Sequence, residues 1–424
     1  MKANNENSYD LIVVGSGACG ATIAREVSAT GKRVLVLERG KSTNMRETAF
    51  SMISVMDEVS LGKGLSTARA LTTGGSTSLY FGVANYPNLD TYRDLGIDLD
   101  KSFDWACDQL PLAPLPDSII GNQTIRLRDS AQSLGYDWLK NDMMVDQSLL
   151  SSNYSYEAKW KAKSYMDDAL QNGCTLVNQA LVFEVIKDRN RAVGVKYLDK
   201  SNRGSKSVEV FASKIVIAAG ELATPLLLRR AGIQDVAKHG FFCDPGYAIY
   251  GLVPNLEATD TFVGSMSCVI EDDIELGDAN VPRALHRLMM LSKFKLRHWW
   301  KYSQSIGIGV KVKDEICGSM GDDGTLSKKV SSKELEKLAK GEKVAIKILE
   351  NAGAKHVFNF GLSSAGHVGG MVEIGTHVNS NLETTLENMY VCDGSILPES
   401  ERITPTVSLV SLAKYLSDKL NDCL

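Results

Sequence analysis

The stretch from residue 9 to residue 40, YDLIVVGSGACGATIAREVSATGKRVLVLERG, constrains the fold of this chain more than any other. It has the pattern of a buried strand, a glycine-rich turn, a helix and a second strand that ends on an acid, which together form a βαβ unit. Gly15, Gly17 and Gly20 have the spacing G-x-G-x-x-G. In such a turn the first glycine permits the sharp bend, the second lets the backbone approach a pyrophosphate, and the third lets the helix pack on the strand. The unit therefore predicts a dinucleotide site at the N-terminus of the helix.

Glu38 closes the second strand of this unit and narrows the choice of dinucleotide. A carboxylate at that place accepts hydrogen bonds from ribose hydroxyls, whereas NADP needs an arginine for its additional phosphate. The unit therefore argues against NADP but does not separate NAD from FAD. A glycine turn with a purely structural role is the alternative interpretation.

The charge balance argues against nucleic acid as a partner. The chain has 47 basic and 51 acidic side chains, a net charge of -4, whereas a duplex binder normally carries a basic surplus. Its eight cysteines form no C-x-x-C pair that could hold zinc or an iron-sulfur cluster, so we expect free thiols and no metal. The polar N-terminus and the absence of a long apolar run in the sequence predict a cytoplasmic protein.

Three later segments also combine a strand or loop with glycine or small polar residues. Residues 71–87, LTTGGSTSLYFGVANYP, form a glycine- and serine-rich loop that could wrap around a planar ligand. Residues 215–233, IVIAAGELATPLLLRRAGI, read as a strand followed by a helix, with Thr224 as its N-cap and Pro225 in its first turn. Residues 389–400, MYVCDGSILPES, read as a short strand that ends in Asp-Gly-Ser.

In order and spacing, these segments resemble the glucose/methanol/choline family of FAD-dependent oxidoreductases. GELATPLLLRRAGI (220–233) is similar to the second signature of the family, the 71–87 loop is similar to the first with some departure, and HVGGMVEIG (367–375) is similar to the active-site stretch. ITPTVSLVSLAKYLSDKL (403–420) is similar to the closing helix. The resemblance extends over roughly half of the chain, and its motifs are specific only when taken together.

The resemblance implies one FAD, held without a covalent bond because no histidine occurs between Ser76 and Gly82. Val182, with Phe183, would lie beside the adenine. The residues implied in cofactor binding are Gly15, Gly17, Gly20, Glu38, Gly74, Gly75, Ser78, Val182, Asp393, Gly394 and Pro405.

The implied fold is an α/β chain with a Rossmann-like FAD-binding domain that is discontinuous in sequence. That domain would contain residues 1–110, 165–245 and 365–424. An α+β cap domain with an antiparallel sheet, which binds the substrate, would contain residues 110–165 and 245–365. Within the cap, the apolar spacing and the serine start predict a scaffold helix over residues 331–354. The alternation at 180–199 predicts paired strands around a polar turn.

His367 is the candidate catalytic residue. A base with a pKa near 6.5 is suited to removing the hydroxyl proton of an alcohol at neutral pH, and the resemblance gives His367 that role. We expect the glycines that follow it to keep this wall thin enough for substrate. On its own, a histidine in an apolar run is more often a core residue satisfied by a backbone carbonyl. A metal site of His367, Glu373 and His377 is a further alternative, which Gly375 disfavours by weakening the helix needed to align Glu373 and His377; these two are then surface or supporting residues.

Thr404 departs from the family pattern. The family usually has a second histidine or an asparagine just before the closing helix, and here that residue is Thr404, followed by Pro405. A threonine hydroxyl can position a substrate oxygen but cannot share in removing a proton. We therefore assign His367 the role of base and Thr404 a positioning role, and the alcohol itself remains open.

Residues 286–303, HRLMMLSKFKLRHWWKYS, are basic and contain no acid. One interpretation is a lid that contacts a membrane or a lipid-like substrate. If the segment formed one helix, however, its apolar residues would lie all around the axis and not on one face. This pattern favours an internal helix or strand with solvated lysines. We therefore do not expect a membrane contact.

The resemblance implies an enzyme that oxidises an alcohol CH–OH group to a carbonyl by hydride transfer to flavin N5. Its partners would be a small alcohol and an electron acceptor or a partner subunit. Three alternatives stay open: a lyase on the same scaffold without net redox chemistry, a flavin-bearing subunit of a larger redox complex, and a nucleotide-binding protein without chemistry.

Overall fold

Two β-sheets organise the chain, one largely parallel and one antiparallel, and helices pack on both. The computed structural model describes residues 8–46, 48–150, 154–201, 204–271, 274–364, 366–401 and 404–424. The helices are α1 (Ala18–Ser28), α2 (Ala49–Val55), α3 (Leu89–Asp94), α4 (Asp100–Gln109), α5 (Asn122–Ser133), α6 (Lys163–Gln171), α7 (Thr224–Arg230), α8 (Arg283–Ser292), α9 (Leu296–Trp300), α10 (Ser332–Asn351) and α11 (Thr406–Cys423). The strands of the N-terminal half are β1 (Ser8–Val14), β2 (Val34–Leu37), β3 (Met56–Gly62), β4 (Leu65–Ala70), β5 (Leu112–Pro114), β6 (Leu139–Lys140), β7 (Asp142–Met144), β8 (Thr175–Val177), β9 (Ala180–Asp188), β10 (Arg191–Asp199) and β11 (Lys206–Ile217). Those of the C-terminal half are β12 (Pro245–Leu252), β13 (Met266–Glu271), β14 (Ile274–Asp278), β15 (Ser305–Val312), β16 (Ser319–Met320), β17 (Leu326–Ser327), β18 (Lys355–Ser364) and β19 (Met389–Val391).

The first sheet places three strand ends side by side. Within the described residues its order is β8-β2-β1-β11-β10-β9, and β19 pairs with the C-terminal part of β11. The strands β8, β2, β1, β11 and β19 are parallel, and their buried aliphatic runs are typical of strands covered on both faces. The register aligns Val14 with Ile217 and Ile217 with Val391. The turns that follow these three residues therefore meet at one edge, where parallel sheets bind ligands.

The second sheet is antiparallel, with the order β18-β12-β15-β14-β13-β6 in the described part of the chain. Helix α10 packs on β15 and β12. It begins with a capping box, in which the Ser331 hydroxyl accepts from the Glu334 N–H and the Glu334 carboxylate accepts from the Ser331 N–H at 2.6 Å. The helix predicted at 331–354 is therefore confirmed.

The predicted fold class is confirmed: the chain combines a Rossmann-like parallel sheet with an antiparallel sheet. The paired strands expected at 180–199 are β9 and β10, and the strand expected before Asp393 is β19. The division into an FAD-binding domain and a cap at the stated boundaries stays a prediction. None of the helices in the described ranges has both the length and the apolar composition needed to cross a bilayer.

One side of the segment at 286–303 is exposed, with large apolar side chains in water, so the prediction of an internal element is wrong. It forms two short helices, α8 and α9, instead of one long helix. The connection between them passes through Phe294, whose φ of 53° is left-handed. A projection onto a single helix axis therefore does not apply, and Phe294 and Trp300 are 86% and 73% exposed.

Candidate active site

The glycine turn between β1 and α1 leaves the N-terminus of the helix open. Gly15 has a φ of 104°, and a Cβ there would lie 2.2 Å from the carbonyl oxygen of Ala218. A Cβ on Gly20 would lie 2.1 Å from the carbonyl oxygen of Gly15. A Cβ on Gly17, in contrast, would meet nothing within 4 Å. Gly17 caps α1 without a side-chain hydrogen bond, and no acid lies in the first turn, so the first N–H groups of α1 border a space in which an anion can bind.

Glu38 is buried beside this turn. Its Oε2 accepts from the N–H of Ser16 at 3.1 Å and from the Ser16 hydroxyl at 2.6 Å, and its Oε1 accepts from the N–H of Gly40 at 2.6 Å. Burial raises the pKa of the carboxyl, and these hydrogen bonds oppose that rise. The carboxylate is thereby fixed just past the end of β2, where the ribose-binding acids of such folds lie.

The glycine-rich loop after β4 lies directly on the glycine turn. The N–H of Gly74 donates to the carbonyl oxygen of Ser16 at 3.1 Å, and a Cβ on Gly75 would lie 2.9 Å from Cα of Gly17. Both loop glycines have positive φ, 91° and 56°, which other residues rarely adopt. Ser78 is buried at the end of the short 3₁₀ turn that begins at Gly75. The structure therefore brings this predicted loop and the predicted pyrophosphate site together.

Val182 lies on β9, close to the end of β2. The N–H of Ala180 donates to the carbonyl oxygen of Glu38 at 2.8 Å, so β9 begins beside that acid. Val182 is buried and Phe183 is half-buried. Both residues are thus near the predicted ribose site, and their contact with adenine stays a prediction.

Asp393 links the ends of two of the aligned strands, β11 and β19, through hydrogen bonds. Its Oδ1 accepts from the N–H and hydroxyl of Ser395 at 2.9 and 2.6 Å, and its Oδ2 accepts from the N–H of Gly220 at 2.9 Å and from the Thr224 hydroxyl. The prediction that Thr224 caps α7 is wrong, because the cap is Ala223 and the Thr224 hydroxyl binds Asp393. Asp393 therefore fixes the turn before α7 against the end of β19.

Glu221 is a carboxyl in this region that the sequence did not single out. A Cβ on Gly394 would lie 3.3 Å from Oε2 of Glu221, so the two residues are neighbours. Burial and the nearby Asp393 carboxylate raise the pKa of Glu221 to about 7. A carboxyl that is partly protonated at neutral pH therefore lies beside residues predicted to contact the cofactor.

His367 faces Asp244 because two segments pair in antiparallel fashion. Phe242 and Gly369 exchange backbone hydrogen bonds of 3.1 and 3.2 Å. Asp244 follows Phe242 by two residues and His367 precedes Gly369 by two, so this bridge brings their segments together. His367 Nδ1 lies 3.3 Å from Asp244 Oδ2, an ion-pair distance, although the angle is not that of a hydrogen bond and neither atom has such a partner among the described residues. The imidazole therefore lies beside a carboxylate and not beside the backbone carbonyl expected of a core histidine.

The surroundings of His367 favour its neutral form. Its side chain is 13% exposed and that of Asp244 is 1% exposed. Burial lowers the pKa of His367, Lys311 adds to the lowering, and the Asp244 carboxylate opposes it. If the ring proton is on Nδ1, towards Asp244, then Nε2 is the nitrogen that can accept a proton.

A buried ion pair holds the backbone of Asp244 in place. The Asp244 N–H donates to Oδ1 of Asp314 at 2.9 Å, and Oδ2 of Asp314 lies 2.7 Å from Nζ of Lys328. Lys328 also donates to the carbonyl oxygens of Phe241 and Glu315 at 2.6 Å each. Burial lowers the pKa of Lys328, but the Asp314 carboxylate more than offsets this and keeps the ammonium charged. These contacts fix Asp244 in a left-handed conformation, with a φ of 47°.

Replacing Lys328 by methionine is expected to lower the free energy of unfolding by about 3–5 kcal/mol, because it leaves the Asp314 carboxylate buried and unpaired. Urea unfolding measures the effect. The control is Lys333→Met, whose ammonium is exposed and lies 3.9 Å from Glu315; we expect a change of about 1 kcal/mol or less. The double variant Lys328→Met/Asp314→Asn should recover part of the loss, and equal losses in the single and double variants would contradict this account.

Thr404 lies on the segment that precedes α11, as does Ser400. The Ser400 hydroxyl donates to Oδ1 of Asp244, and the Thr404 hydroxyl donates to the carbonyl oxygen of Val83. Since its hydrogen is used there, the Thr404 hydroxyl can only accept a hydrogen bond from a substrate. Pro405 caps α11, and the roles of Thr404 and Pro405 at the site stay predictions.

The glycines after His367 accommodate protein side chains. A Cβ on Gly369 would lie 2.4 Å from the ring of Phe242, and one on Gly370 would lie 2.8 Å from Ile316. The space on the Cβ side of these two glycines is therefore filled by the protein, and their effect on the wall towards the substrate stays a prediction.

His367, Glu373 and His377, the three residues of the metal alternative, each have a different partner. His377 is buried, not on the surface, and its Nδ1 accepts from the N–H of Glu373 at 2.8 Å. The Glu373 carboxylate lies 3.8 Å from Nε2 of His239. In the part of the chain that the structure describes, no three His, Cys, Asp or Glu side chains gather as a metal site requires.

Sequence reasoning missed Asp244, Asp314, Lys328 and Thr67. Asp244 gives a signal, since it is the one acid in the apolar run FFCDPGYAIYG (241–251). Thr67 is buried on β4, its hydroxyl has no partner among the described residues, and a Cβ on Gly366 would lie 4.0 Å from it. It is a further polar group beside the His367 segment.

Comparison with known sequences now identifies the family. The family model for glucose/methanol/choline (GMC) oxidoreductases matches residues 9–241, which is more than half of the chain. The chain therefore belongs to the GMC oxidoreductase family, as the sequence motifs predicted.

Individual relatives are distant. An uncharacterised protein of Methanocaldococcus jannaschii is 22% identical over 96% of this chain and 98% of its own length. A long-chain-alcohol oxidase of Arabidopsis thaliana is 21% identical over 98% of this chain and 67% of its own length. An (R)-mandelonitrile lyase of Prunus dulcis is 26% identical over 54% of this chain, which spans only 44% of the lyase.

Among solved structures, pyridoxine 4-oxidase from Mesorbium loti has the same fold. The TM-score is 0.73 at 15% sequence identity, and the match covers 97% of this chain and 99% of that chain.

Proposed function

We propose that this chain is an FAD-dependent enzyme that oxidises the CH–OH group of an alcohol to a carbonyl, with His367 as general base. The observation that carries the proposal is the buried pair of His367 and Asp244 in a member of the GMC oxidoreductase family. A neutral imidazole beside a carboxylate can take a hydroxyl proton and stabilise the charge that results. The Arabidopsis relative, named as an oxidase of long-chain alcohols, supports this class of donor.

FAD is the cofactor that the family implies, and the glycine turn fits its pyrophosphate. The open space at Gly17 and the uncapped N-terminus of α1 suit negatively charged phosphates, with Gly74 and Gly75 at their border. Glu38 would accept hydrogen bonds from ribose hydroxyls. When bound, FAD supplies the acceptor for the hydride that leaves the carbinol carbon. We expect non-covalent binding, since residues 76–82 contain no histidine.

Residues of the chain remove the hydroxyl proton of the substrate in this reaction. An alcohol that becomes a carbonyl loses a hydride from carbon and a proton from oxygen, and His367 takes the proton at Nε2. Asp244 orients the ring and stabilises the imidazolium that forms. Thr404 could accept a hydrogen bond that holds the substrate hydroxyl in place.

Asp244→Asn should move the acid limb of kcat/KM to lower pH. Only neutral His367 can accept the proton, so activity falls as the pH drops through the pKa of His367, which burial places below the ordinary value of about 6.5. Removing the carboxylate destabilises the protonated ring, so that pKa falls further. At neutral pH we expect a loss of roughly 10–10²-fold, because the imidazolium is less stabilised. The pH profile of kcat/KM measures both effects, and an unchanged acid limb would exclude Asp244 as the partner of the base.

Product analysis tests the proposed reaction. The FAD-loaded protein is incubated with aliphatic, aromatic, sterol and sugar alcohols, with oxygen or an artificial dye as electron acceptor. We expect a carbonyl product in an amount equal to the acceptor reduced. The resemblance to a mandelonitrile lyase gives a second candidate, a lyase, which would consume cyanohydrins without reducing any acceptor. Dependence on a second polypeptide would instead favour the subunit of a redox complex.

A further inference from the structure

Helices α8 and α9 present an exposed surface on which cations alternate with large apolar side chains. The apolar members are Leu291, Phe294, Leu296 and Trp300, which are exposed by 51%, 86%, 55% and 73%. The cationic members, all exposed, are Arg283, Arg287, Lys293, Lys295, Arg297 and Lys301. We call these ten side chains the basic ridge. No acid occurs between residues 283 and 301, although the whole chain has a net charge of -4.

Buried side chains on the inner side of α8 and α9 anchor the basic ridge to the protein. His286 and Met290 of α8 and His298 of α9 are buried. His286 Nε2 lies 2.9 Å from Oγ of Ser305, and His298 Nε2 lies 3.1 Å from the carbonyl oxygen of His356. The anchors therefore bind the two helices to the second sheet, and the large exposed side chains point away from it.

Phe294 shows that the exposure is built into the backbone. An aromatic residue with a φ of 53° is in a left-handed conformation that L-residues other than glycine avoid. The turn thus holds a ring that is 86% exposed to water at a conformational cost.

The positive charge of the basic ridge is not neutralised by the protein. Among the residues that the structure describes, none of its six cations forms an ion pair. Lys293 lies over the ring of Phe360 at 4.9 Å and Lys295 over the ring of Phe358 at 4.7 Å. These contacts leave the charge in place, so the surface is complementary to an anionic one.

We propose that the basic ridge docks the protein on a bilayer surface that contains anionic lipids. Exposed aromatic side chains such as Phe294 and Trp300 partition into the headgroup region, and the surrounding lysines and arginines bind lipid phosphates. Separate protruding side chains can insert into a bilayer, which needs no pockets of matching shape. A protein partner, in contrast, needs a surface that is complementary to these side chains. This inference goes against the expectation from sequence, and it does not depend on the proposed reaction.

Neighbouring apolar groups extend the surface. Helix α2 contacts α8 and adds Phe50, which is 84% exposed, and Ile53, which is 50% exposed. A pocket whose walls include Met52, Phe81 and Leu285 lies between these helices. The apolar area of the docking face therefore continues from α8 to α2.

Co-sedimentation with vesicles tests the proposal on the full-length protein. One set of vesicles is phosphatidylcholine alone, and the other is phosphatidylcholine mixed with phosphatidylglycerol. We expect the protein to bind the mixed vesicles at least roughly tenfold more tightly than the neutral ones, and added salt should weaken that binding. Tryptophan fluorescence should shift to shorter wavelength on binding, and Trp300→Phe should remove most of the shift.

Two variants separate the contributions of the aromatic side chains and of the positive charges to vesicle binding. Phe294→Ser/Trp300→Ser removes the aromatic tips, and Lys293→Gln/Lys295→Gln/Arg297→Gln removes three charges; each should weaken binding roughly tenfold or more. The matched control is Leu139→Ser/Leu149→Ser, which removes side chains that are 63% and 56% exposed elsewhere on the surface. The control should bind like the wild type.

Three results would overturn the proposal. The first is no binding to mixed vesicles, and the second is equal binding by the wild type and both ridge variants. The third is a dimer that Phe294→Ser/Trp300→Ser dissociates while vesicles stay unbound, which would assign the basic ridge to a second copy of this chain. Since binding is read out directly, failure here leaves the proposed oxidation untouched.

Discussion

His367→Asn is expected to slow reduction of the bound flavin by alcohol by roughly 10²–10⁴ while leaving the flavin in place. The reason is that the asparagine side chain cannot accept the hydroxyl proton, whereas the groups predicted to hold FAD lie around Gly17 and Glu38. Mixing the protein anaerobically with saturating substrate and following the flavin absorbance measures the rate. In free energy, the loss corresponds to about 2.7–5.5 kcal/mol of transition-state stabilisation.

The control for this experiment is His239→Asn, which removes a histidine that is 66% exposed and lies 3.8 Å from the Glu373 carboxylate. In the His239→Asn variant, alcohol should reduce the bound flavin at the rate seen in the wild type. Equal flavin content in all three proteins shows that the cofactor site is intact. A His367→Asn variant that reacts at full speed would remove His367 from the chemistry.

Gly17→Val is expected to weaken FAD binding by roughly 10²-fold or more without destabilising the apoprotein. A Cβ on Gly17 meets no protein atom within 4 Å, and its φ of -70° and ψ of -168° are open to any residue. A valine there would fill the space in front of the α1 N–H groups, and each charge-assisted hydrogen bond lost contributes about 1.5–3 kcal/mol. Fluorescence titration of the apoprotein with FAD measures the affinity, and thermal unfolding of the apoprotein measures the stability.

The matched control is Ala29→Val, which also introduces a valine side chain, at the exposed residue that caps the other end of α1. It should bind FAD like the wild type. If Gly17→Val also binds FAD like the wild type, the pyrophosphate does not lie at this helix. If its apoprotein unfolds at a much lower temperature, the space at Gly17 is needed for folding and not for the cofactor.

The glycine turn could be predicted from sequence because its determinants are local. Gly15, Gly17 and Gly20 act within one βαβ unit, and Glu38 follows its second strand directly. The spacing of these residues therefore fixes their relative positions once the strands and the helix form.

The partner of His367 could not be predicted in the same way. Asp244 reaches it through antiparallel pairing of Phe242 with Gly369, which are far apart in the sequence, and no local pattern specifies that register. The charged residues Asp314 and Lys328 look like surface residues in the sequence, and only the tertiary structure buries them. Pairing between distant segments is set by the packing of the whole chain.

The exposed position of α8 and α9 was missed for a different reason. The break between them is a left-handed turn at Phe294, a residue that carries none of the glycine or proline signals by which turns are recognised. A projection onto one helix axis therefore does not describe the apolar residues, because they belong to two helices. The structure reassigns these side chains from the interior to the surface.

The central claim is that an alcohol reduces a flavin held by this chain, and the visible spectrum tests it most directly. The protein is purified with FAD, made anaerobic and mixed in turn with sugar, sterol, aliphatic and aromatic alcohols. We predict that the flavin absorption band in the blue region of the visible spectrum disappears with one of these classes of alcohol. That class then identifies the kind of substrate. A band that persists with every alcohol, while the cofactor stays bound, would contradict the assignment of this chain as an alcohol-oxidising enzyme.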